Sequence, residues 1–539
     1  MKNLRVNLIF SLLVIFSATI LGRLIFLQVL RGDFYKALSQ GLHNPFQEIE
    51  GERGEVFLAD GKDLAINVNL PLIYVVPNEI KRKPETAKVL SEILNLDENL
   101  VLEKLENENS YSLIKRKLDE KEVENLTNLN LEGVFISEEN ERYYPQESLA
   151  SQIIGFLGAQ KGGQYGLEEF YDEALQSKEE LRGYQKGSDL ILTIDYDIQF
   201  EAEKLLKRAK ENLEIEKGQI IVIEPNSGKV IAMANFPNFD PNQYEKYAKS
   251  GNLEVFKNGV TQELFEPGSV FKPFTMATAL EEEKITPQTT YQDPGVLKID
   301  GWTIYNYEGR KYPGELTMTN VLEKSINTGA VFAENQLGET LFLKYIEKFG
   351  FFTPTQIDFQ ETYSENQELR IGRKINLATA SFGQGITITP LQLARAYCAI
   401  ANGGKLVKPY LVEKILEDGM EIQTEPEVSQ AIISSKTIHQ LTAMLVSVVE
   451  NGFGKAAKIP GYYIAGKTGT AQVAQGGVYL PDKSIQTFAG FFPAFNPKFL
   501  ILVKLDNPKT KTAEYSAVPI FHDLAEYIIH YEQIPPDYE

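Results

Sequence analysis

The chain has 539 residues, 43% hydrophobic and 24% charged, enough for two or three domains and a sizeable core. A formal net charge of −20 argues against nucleic acid, whose phosphates would repel it. One cysteine, Cys398, excludes an internal disulfide and a cysteine-cluster metal site, and the four histidines, His43, His439, His522 and His530, are not spaced for zinc. Neither a metal nor an organic cofactor is indicated.

Residues from Leu8 to Leu30 are almost wholly apolar. At ~1.5 Å per residue such a run crosses a bilayer core of ~30 Å. Lys2 and Arg5 precede it, which favours the N-terminus inside and the rest of the chain outside. Ser17-Ala-Thr19 offers a signal-peptidase-like site, but the apolar run continues through Ile20–Leu30 and argues for a retained anchor. The expected organisation is an anchor over 1–35, a pedestal over 36–186 and a large domain over 187–539.

In the pedestal, Arg53-Gly-Glu-Val56 and Gly61-Lys-Asp-Leu-Ala65 read as strand and turn, Pro84–Leu126 as helix, and Gly133-Val-Phe-Ile-Ser137 as a strand before Arg142-Tyr-Tyr-Pro145. Beyond Gly187, Leu190–Asp195 reads as a strand and Ile198–Asn212 as an amphipathic helix. Gln219–Glu224 and Lys229–Ala234 flank Pro225-Asn-Ser-Gly228 as a hairpin. Phe488–Phe492 and Phe499–Lys504 form another, and His522–Tyr531 a last helix. Strands at both ends of a largely helical middle predict one antiparallel sheet with helices on its faces.

Three short strings in the large domain carry chemistry. Ser269-Val-Phe-Lys272 opens a helix, so its serine and lysine share a face. The hydroxyl sits where backbone N–H groups favour negative charge. Ser325-Ile-Asn327 adds a hydroxyl that accepts and donates at once, and an amide whose carbonyl can hold Lys272 and whose NH2 can hold a substrate amide. Lys467-Thr-Gly-Thr470 lies on or beside a strand, with Gly469 permitting a close backbone approach and Thr468 and Thr470 suited to a carboxylate. A lysine acts as base only when desolvated or beside another cation, and Lys467 is a candidate for that cation.

Taken singly, each string also reads as an N-cap serine, polar residues within a helix over Leu322–Leu337, or a strand lysine. Ser112-Leu-Ile-Lys115, Ser250-Gly-Asn252 and Ser364-Glu-Asn366 repeat the patterns by chance. The order and the surroundings supply the specificity.

In that order the strings resemble those of the class B penicillin-binding proteins, and Phe265–Pro273, Gly383-Gln-Gly385, Ala401-Asn-Gly-Gly404, Arg53-Gly54, Arg142-Tyr-Tyr-Pro145 and Gly166-Leu-Glu168 extend the resemblance over nearly the whole chain. The family implies an α/β (α+β) penicillin-binding transpeptidase fold. Its parts are a five-stranded antiparallel sheet flanked by helices, an all-helical subdomain, an elongated N-terminal pedestal and one transmembrane helix. It implies a D,D-transpeptidase that cross-links peptidoglycan stem peptides through an acyl-enzyme on Ser269. Lys272 is the implied base, Ser325 and Asn327 are relay and positioning groups, and Lys467, Thr468, Gly469 and Thr470 bind the substrate. Backbone N–H groups of Ser269 and Thr470 are the implied oxyanion hole. β-Lactams are implied as inhibitors, and division or wall-synthesis membrane proteins as partners. The likeness is greatest to the septal branch, through Ser381-Phe-Gly-Gln-Gly-Ile386 and Leu322–Gly329, although Ile326 stands where that branch commonly has serine. The loop Val56-Phe-Leu-Ala-Asp-Gly61 also departs from the family's Asp-Arg-Asn-Gly-like turn.

Overall fold

The apolar stretches on either side of Pro225-Asn-Ser-Gly228 form the expected hairpin. Strands β1 (Lys217–Ile223) and β2 (Val230–Phe236) pair antiparallel, with Ile220 opposite Ala234. The computed structural model describes residues 52–107, 111–180, 183–475 and 478–538. Strands β3 (Ala465–Gln475), β4 (Val478–Phe492) and β5 (Phe499–Asp506) complete a five-stranded sheet in the order β2-β1-β5-β4-β3. Every pairing in it is antiparallel, and β3 is an edge strand.

The helices that matter to the site are α1 (Tyr196–Leu213), α2 (Lys272–Glu281), α3 (Met318–Glu323), α4 (Asn327–Leu337), α5 (Pro390–Ala401), α6 (Ser435–Asn451) and α7 (Ala517–Tyr531). Because side chains alternate along a strand, the sheet feeds two cores. Ile220, Phe488 and Val503 pack with α1 and α7, while Ile221, Ala489 and Leu502 join α2, α5 and α6 on the other face. Helix α2 is buried along its whole length from Lys272 to Leu280. Its Phe274 lies 5.0 Å from the rings of Phe349 and Phe351 and 5.1 Å from Tyr397. The Tyr397 hydroxyl in turn donates to the Val270 carbonyl at 2.6 Å, fixing the turn that precedes α2.

The chain divides into two compact units. The larger takes in Arg53–Asn67, Arg142–Gln176 and Gly187–Glu539. The smaller includes Val68–Glu141 and Ser177–Lys186. In the smaller, Ile73–Val75 pair with the strand Ser112–Lys115. Ile73, Val75, Leu90, Leu94, Val101, Leu105, Ile114 and Leu126 make its core. The helical reading of Pro84–Leu126 therefore needs correction: helices Lys83–Leu94, Glu98–Glu106 and Glu120–Leu129 are interrupted by that strand. Ser112 and Lys115 sit on it three residues apart, hence on opposite faces, so the second Ser-x-x-Lys string is no copy of the first. The apolar run Leu8–Leu30 lies outside the described residues, and among those described no helix is long and apolar enough to cross a membrane.

Three of the motifs picked out near the N-terminus meet in the larger unit at one carboxylate. Glu168, fully buried, accepts from Arg53 Nε at 2.8 Å, Arg142 Nε at 2.7 Å and the Tyr144 hydroxyl at 3.2 Å. Arg53 Nη2 also reaches Asp172 at 2.8 Å. Burial pushes the Glu168 carboxyl up, but Arg142 and Arg53 outweigh it and hold it below the usual range. A buried charge stripped of its partner is costly. Replacing Glu168 with Gln is expected to lower stability by about 3–5 kcal/mol in urea unfolding, because the buried Arg142 guanidinium loses its counter-charge and Arg53 is left with Asp172.

Candidate active site

Ser269 stands in a tight helical turn, Gly268–Phe271, that runs directly into α2, with Pro273 in the first turn where it costs no hydrogen bond. The turn is held from two sides. Gly268 N donates to Gly383 O at 2.9 Å, and Gly383 has φ of +83° with the Gly268 carbonyl only 2.1 Å from where a Cβ would stand. Gly383 thus belongs to the site as a packing requirement. On the other side, a Cβ at Gly469 would lie 3.0 Å from both Pro267 O and Val270 Cγ1. The close approach foreseen at Gly469 is that of strand β3 to the turn that carries Ser269.

Lys272, one helical turn on from Ser269 and fully buried, places Nζ 2.8 Å from Ser269 Oγ. The same nitrogen lies 2.7 Å from Ser325 O, 3.2 Å from Ser325 Oγ and 2.8 Å from Asn327 Oδ1. The helix read over Leu322–Leu337 breaks between α3 and α4, and Ser325 sits in the break with φ of +53°. This left-handed residue aims its carbonyl and its hydroxyl at the same amine, a strained backbone of the kind found at functional sites. Ile326 anchors the break by burying its side chain completely in the core.

Lys467, also fully buried, reaches Ser325 Oγ at 3.0 Å and Thr468 O at 3.0 Å. Ser325 therefore bridges two amines. Burial pushes Lys272 well below the ordinary lysine range and Lys467 adds to that; burial alone brings Lys467 to about 7. A fall from 10.5 to about 7 corresponds to roughly 5 kcal/mol against the charged form. Among the described residues no carboxylate offsets either lysine. The arrangement makes a base out of lysine.

The structure brings Ser269, Lys272, Ser325, Asn327 and Lys467 into one hydrogen-bonded cluster. Thr468, Gly469 and Thr470 follow on β3, and the two threonines share a face. Two details went unforeseen. The Asn327 amide, read as open to a substrate, already donates one N–H to the Tyr305 carbonyl at 2.9 Å. The Thr470 hydroxyl accepts from Ala513 N at 3.3 Å, so segment 511–513 flanks the threonine face of β3. Gln486, fully buried opposite Thr470 on β4, pins that segment by donating to Thr510 O at 2.7 Å and accepting from the Thr510 hydroxyl at 2.9 Å. Nothing in the residue types of Tyr305, Gln486 or Ala513 marks them; backbone contacts between distant segments carry no sequence signal.

The model of the penicillin binding protein transpeptidase domain matches residues 218–526, and that of the penicillin-binding protein dimerisation domain matches residues 48–189. Stage V sporulation protein D of Bacillus subtilis is 32% identical, covering 94% of this chain and 82% of that protein. A peptidoglycan D,D-transpeptidase FtsI homolog of Mesostigma viride is 29% identical over 99% of this chain and 96% of its own. The crystal structure of penicillin binding protein 3 from Mycobacterium tuberculosis, complexed with aztreonam, has a TM-score of 0.72 at 25% identity and covers 90% of this chain and 97% of that one.

The lysine pair fixes a pH dependence. Protonating Lys272 removes the base, so the rate at which an activated acyl ester modifies Ser269 is expected to fall about tenfold per pH unit on the acid limb. Lys467→Met takes away the neighbouring cation, which raises the Lys272 pKa and moves that limb to higher pH. A limb that stays in place, or moves down, would mean that the two amines do not interact.

Proposed function

Since this chain belongs to the penicillin-binding protein transpeptidase family, we propose that it is a peptidoglycan D,D-transpeptidase working through an acyl-enzyme on Ser269. The observation that carries this reading is the 2.8 Å approach of a buried, carboxylate-free Lys272 amine to the Ser269 hydroxyl. A neutral amine has two N–H groups and one lone pair. Ser325 O and Asn327 Oδ1, both acceptors only, take the two N–H groups, which turns the lone pair toward the Ser269 proton.

In the first half-reaction Ser269 Oγ attacks the penultimate D-Ala carbonyl of a stem peptide while its proton passes to Lys272. The C–O bond forms and the C–N bond to the terminal D-Ala breaks. The leaving amine takes a proton from the amine cluster, with the Ser325 hydroxyl bridging Lys272 and Lys467 as the relay. In the second, an amine of a neighbouring stem attacks the ester, its proton returns to Ser269, and the cross-link is made. Lys467 and the hydroxyls of Thr468 and Thr470 receive the terminal carboxylate. The backbone N–H groups of Ser269 and Thr470 hold the oxyanion. A β-lactam enters the same path and stays as a stable ester.

The finer assignment is septal wall synthesis, supported by the Ser381–Ile386 and Leu322–Gly329 contexts. The N-terminal apolar run supports a single membrane anchor with the N-terminus in the cytoplasm and the pedestal (36–186) and catalytic domain (187–539) outside, where division or wall-synthesis membrane proteins are the expected partners. A fluorescent fusion should gather at the division site; an even distribution along the side wall would assign it to elongation instead. For the chemistry, labelled penicillin should leave a stable adduct on Ser269, and Ser269→Ala should lose both the adduct and at least about a thousandfold in stem-peptide cross-linking. Rapid turnover of the drug would indicate a β-lactamase, and normal cross-linking by the alanine variant would refute the nucleophile.

A further inference from the structure

The two walls of the cleft meet a second time, away from the lysines. On one side, the Asn327 amide holds the Tyr305 carbonyl at 2.9 Å, at the end of a hairpin formed by Val296–Ile299 and Trp302–Tyr305. Two residues later, the Tyr307 hydroxyl donates to the Lys511 carbonyl at 3.3 Å. On the other side, Ala513 N donates to the Thr470 hydroxyl at 3.3 Å. A continuous circuit therefore runs from Ser269 and Lys272 through Asn327, Tyr305–Tyr307, Lys511–Ala513 and Thr470 back along β3 to Lys467.

The Tyr307 arm is rigidly mounted. Asn306, only 3% exposed, donates to Asp293 at 3.0 Å and accepts from Thr328 N at 3.1 Å, which ties the segment to the first turn of α4. Asp293 is itself filled by the Thr328 hydroxyl at 2.6 Å and Tyr312 N at 2.8 Å. Glu308, at φ of +54°, turns the chain sharply after Tyr307, and the Arg310 guanidinium lies 5.5 Å from the tyrosine ring. This buried polar network has no part in the proton transfers, yet it holds one half-exposed ring against the segment that flanks the anion-binding threonines.

We propose that Tyr307 is a specificity-determining residue that, with segment 511–513, walls off the leaving-group end of the cleft. A donor is accepted only if its chain stops at the carboxylate that meets Thr468 and Thr470. A donor continuing beyond that carboxylate runs into the Tyr307 ring. The inference deepens the D,D-transpeptidase reading and rests on it.

The test uses two thioester donors with the same D-Ala acyl group. In one the thiol leaving group ends in a free carboxylate; in the other that carboxylate is extended by an amide-linked glycine. With each, Ser269 Oγ forms the ester, the C–S bond breaks, and the serine proton leaves with the thiol. Acyl-enzyme formation is followed by intact-protein mass spectrometry on the full chain. Tyr307→Phe keeps the ring and loses the bond to Lys511; Tyr307→Ala loses both. The preference for the free-carboxylate donor is expected to narrow about threefold in the first and about tenfold or more in the second, through faster acylation by the extended donor. Unchanged preference in both variants, or equal losses with both donors, would overturn the wall. Melting temperatures identify a variant that merely unfolds, and Tyr307→Phe then decides the matter alone. Penicillin labelling of the wild-type chain separates the two claims. Without an adduct on Ser269 the transpeptidase reading fails and takes the wall with it, whereas an adduct with unchanged preference sinks the wall alone.

Discussion

Two buried amines sharing one hydroxyl are the constraint on which this site is built. A lysine in water is an acid at neutral pH and no use to a serine. Taking Lys272 and Lys467 out of water, facing each other across Ser325 and without a carboxylate among the described residues to compensate, reverses that. The reversal has to be supported by everything around it. The apolar surface of α2, the aromatic cluster about Phe274 and the buried Ile326 exclude solvent; the left-handed backbone at Ser325 supplies the fixed acceptor.

The same logic explains how the polar groups are divided. Ser325 O and Asn327 Oδ1 can only accept, so they define where the amine's hydrogens point. Asn327 is oriented in turn by a carbonyl, Tyr305 O, which can only receive its N–H. Each group is held by one whose hydrogen-bonding role is fixed by its chemistry. Proton positions are then set by valence and geometry, without help from a charged partner.

Much of this was legible in the residues, and the reason lies in how local each feature is. Ser269 and Lys272 are one helical turn apart, so the string itself encodes their contact. The hairpins around Pro225–Gly228 and Ala494–Pro497 announce themselves by continuous apolar runs and turn residues, and α1 begins and ends within two residues of its amphipathic stretch. Local reading failed where context decides. Pro84–Leu126 has helical spacing throughout, yet Ser112–Lys115 is drawn into a sheet by Ile73–Val75. Leu322–Leu337 is apolar enough for one helix, but it breaks at Ser325, whose carbonyl and hydroxyl meet an amine 53 residues away in the chain. The convergence of Arg53, Arg142 and Glu168 spans more than a hundred residues, and only the fold reveals that these motifs are one ion cluster.

The crowding between Gly469 and the turn that carries Ser269 limits what can stand at position 469. A Cβ there would press on Pro267 and Val270, which bracket Gly268 and Ser269, so strand or turn would have to give by a few tenths of an ångström. Side-chain variation is thereby steered away from this seam, toward positions where no neighbouring backbone stands so close.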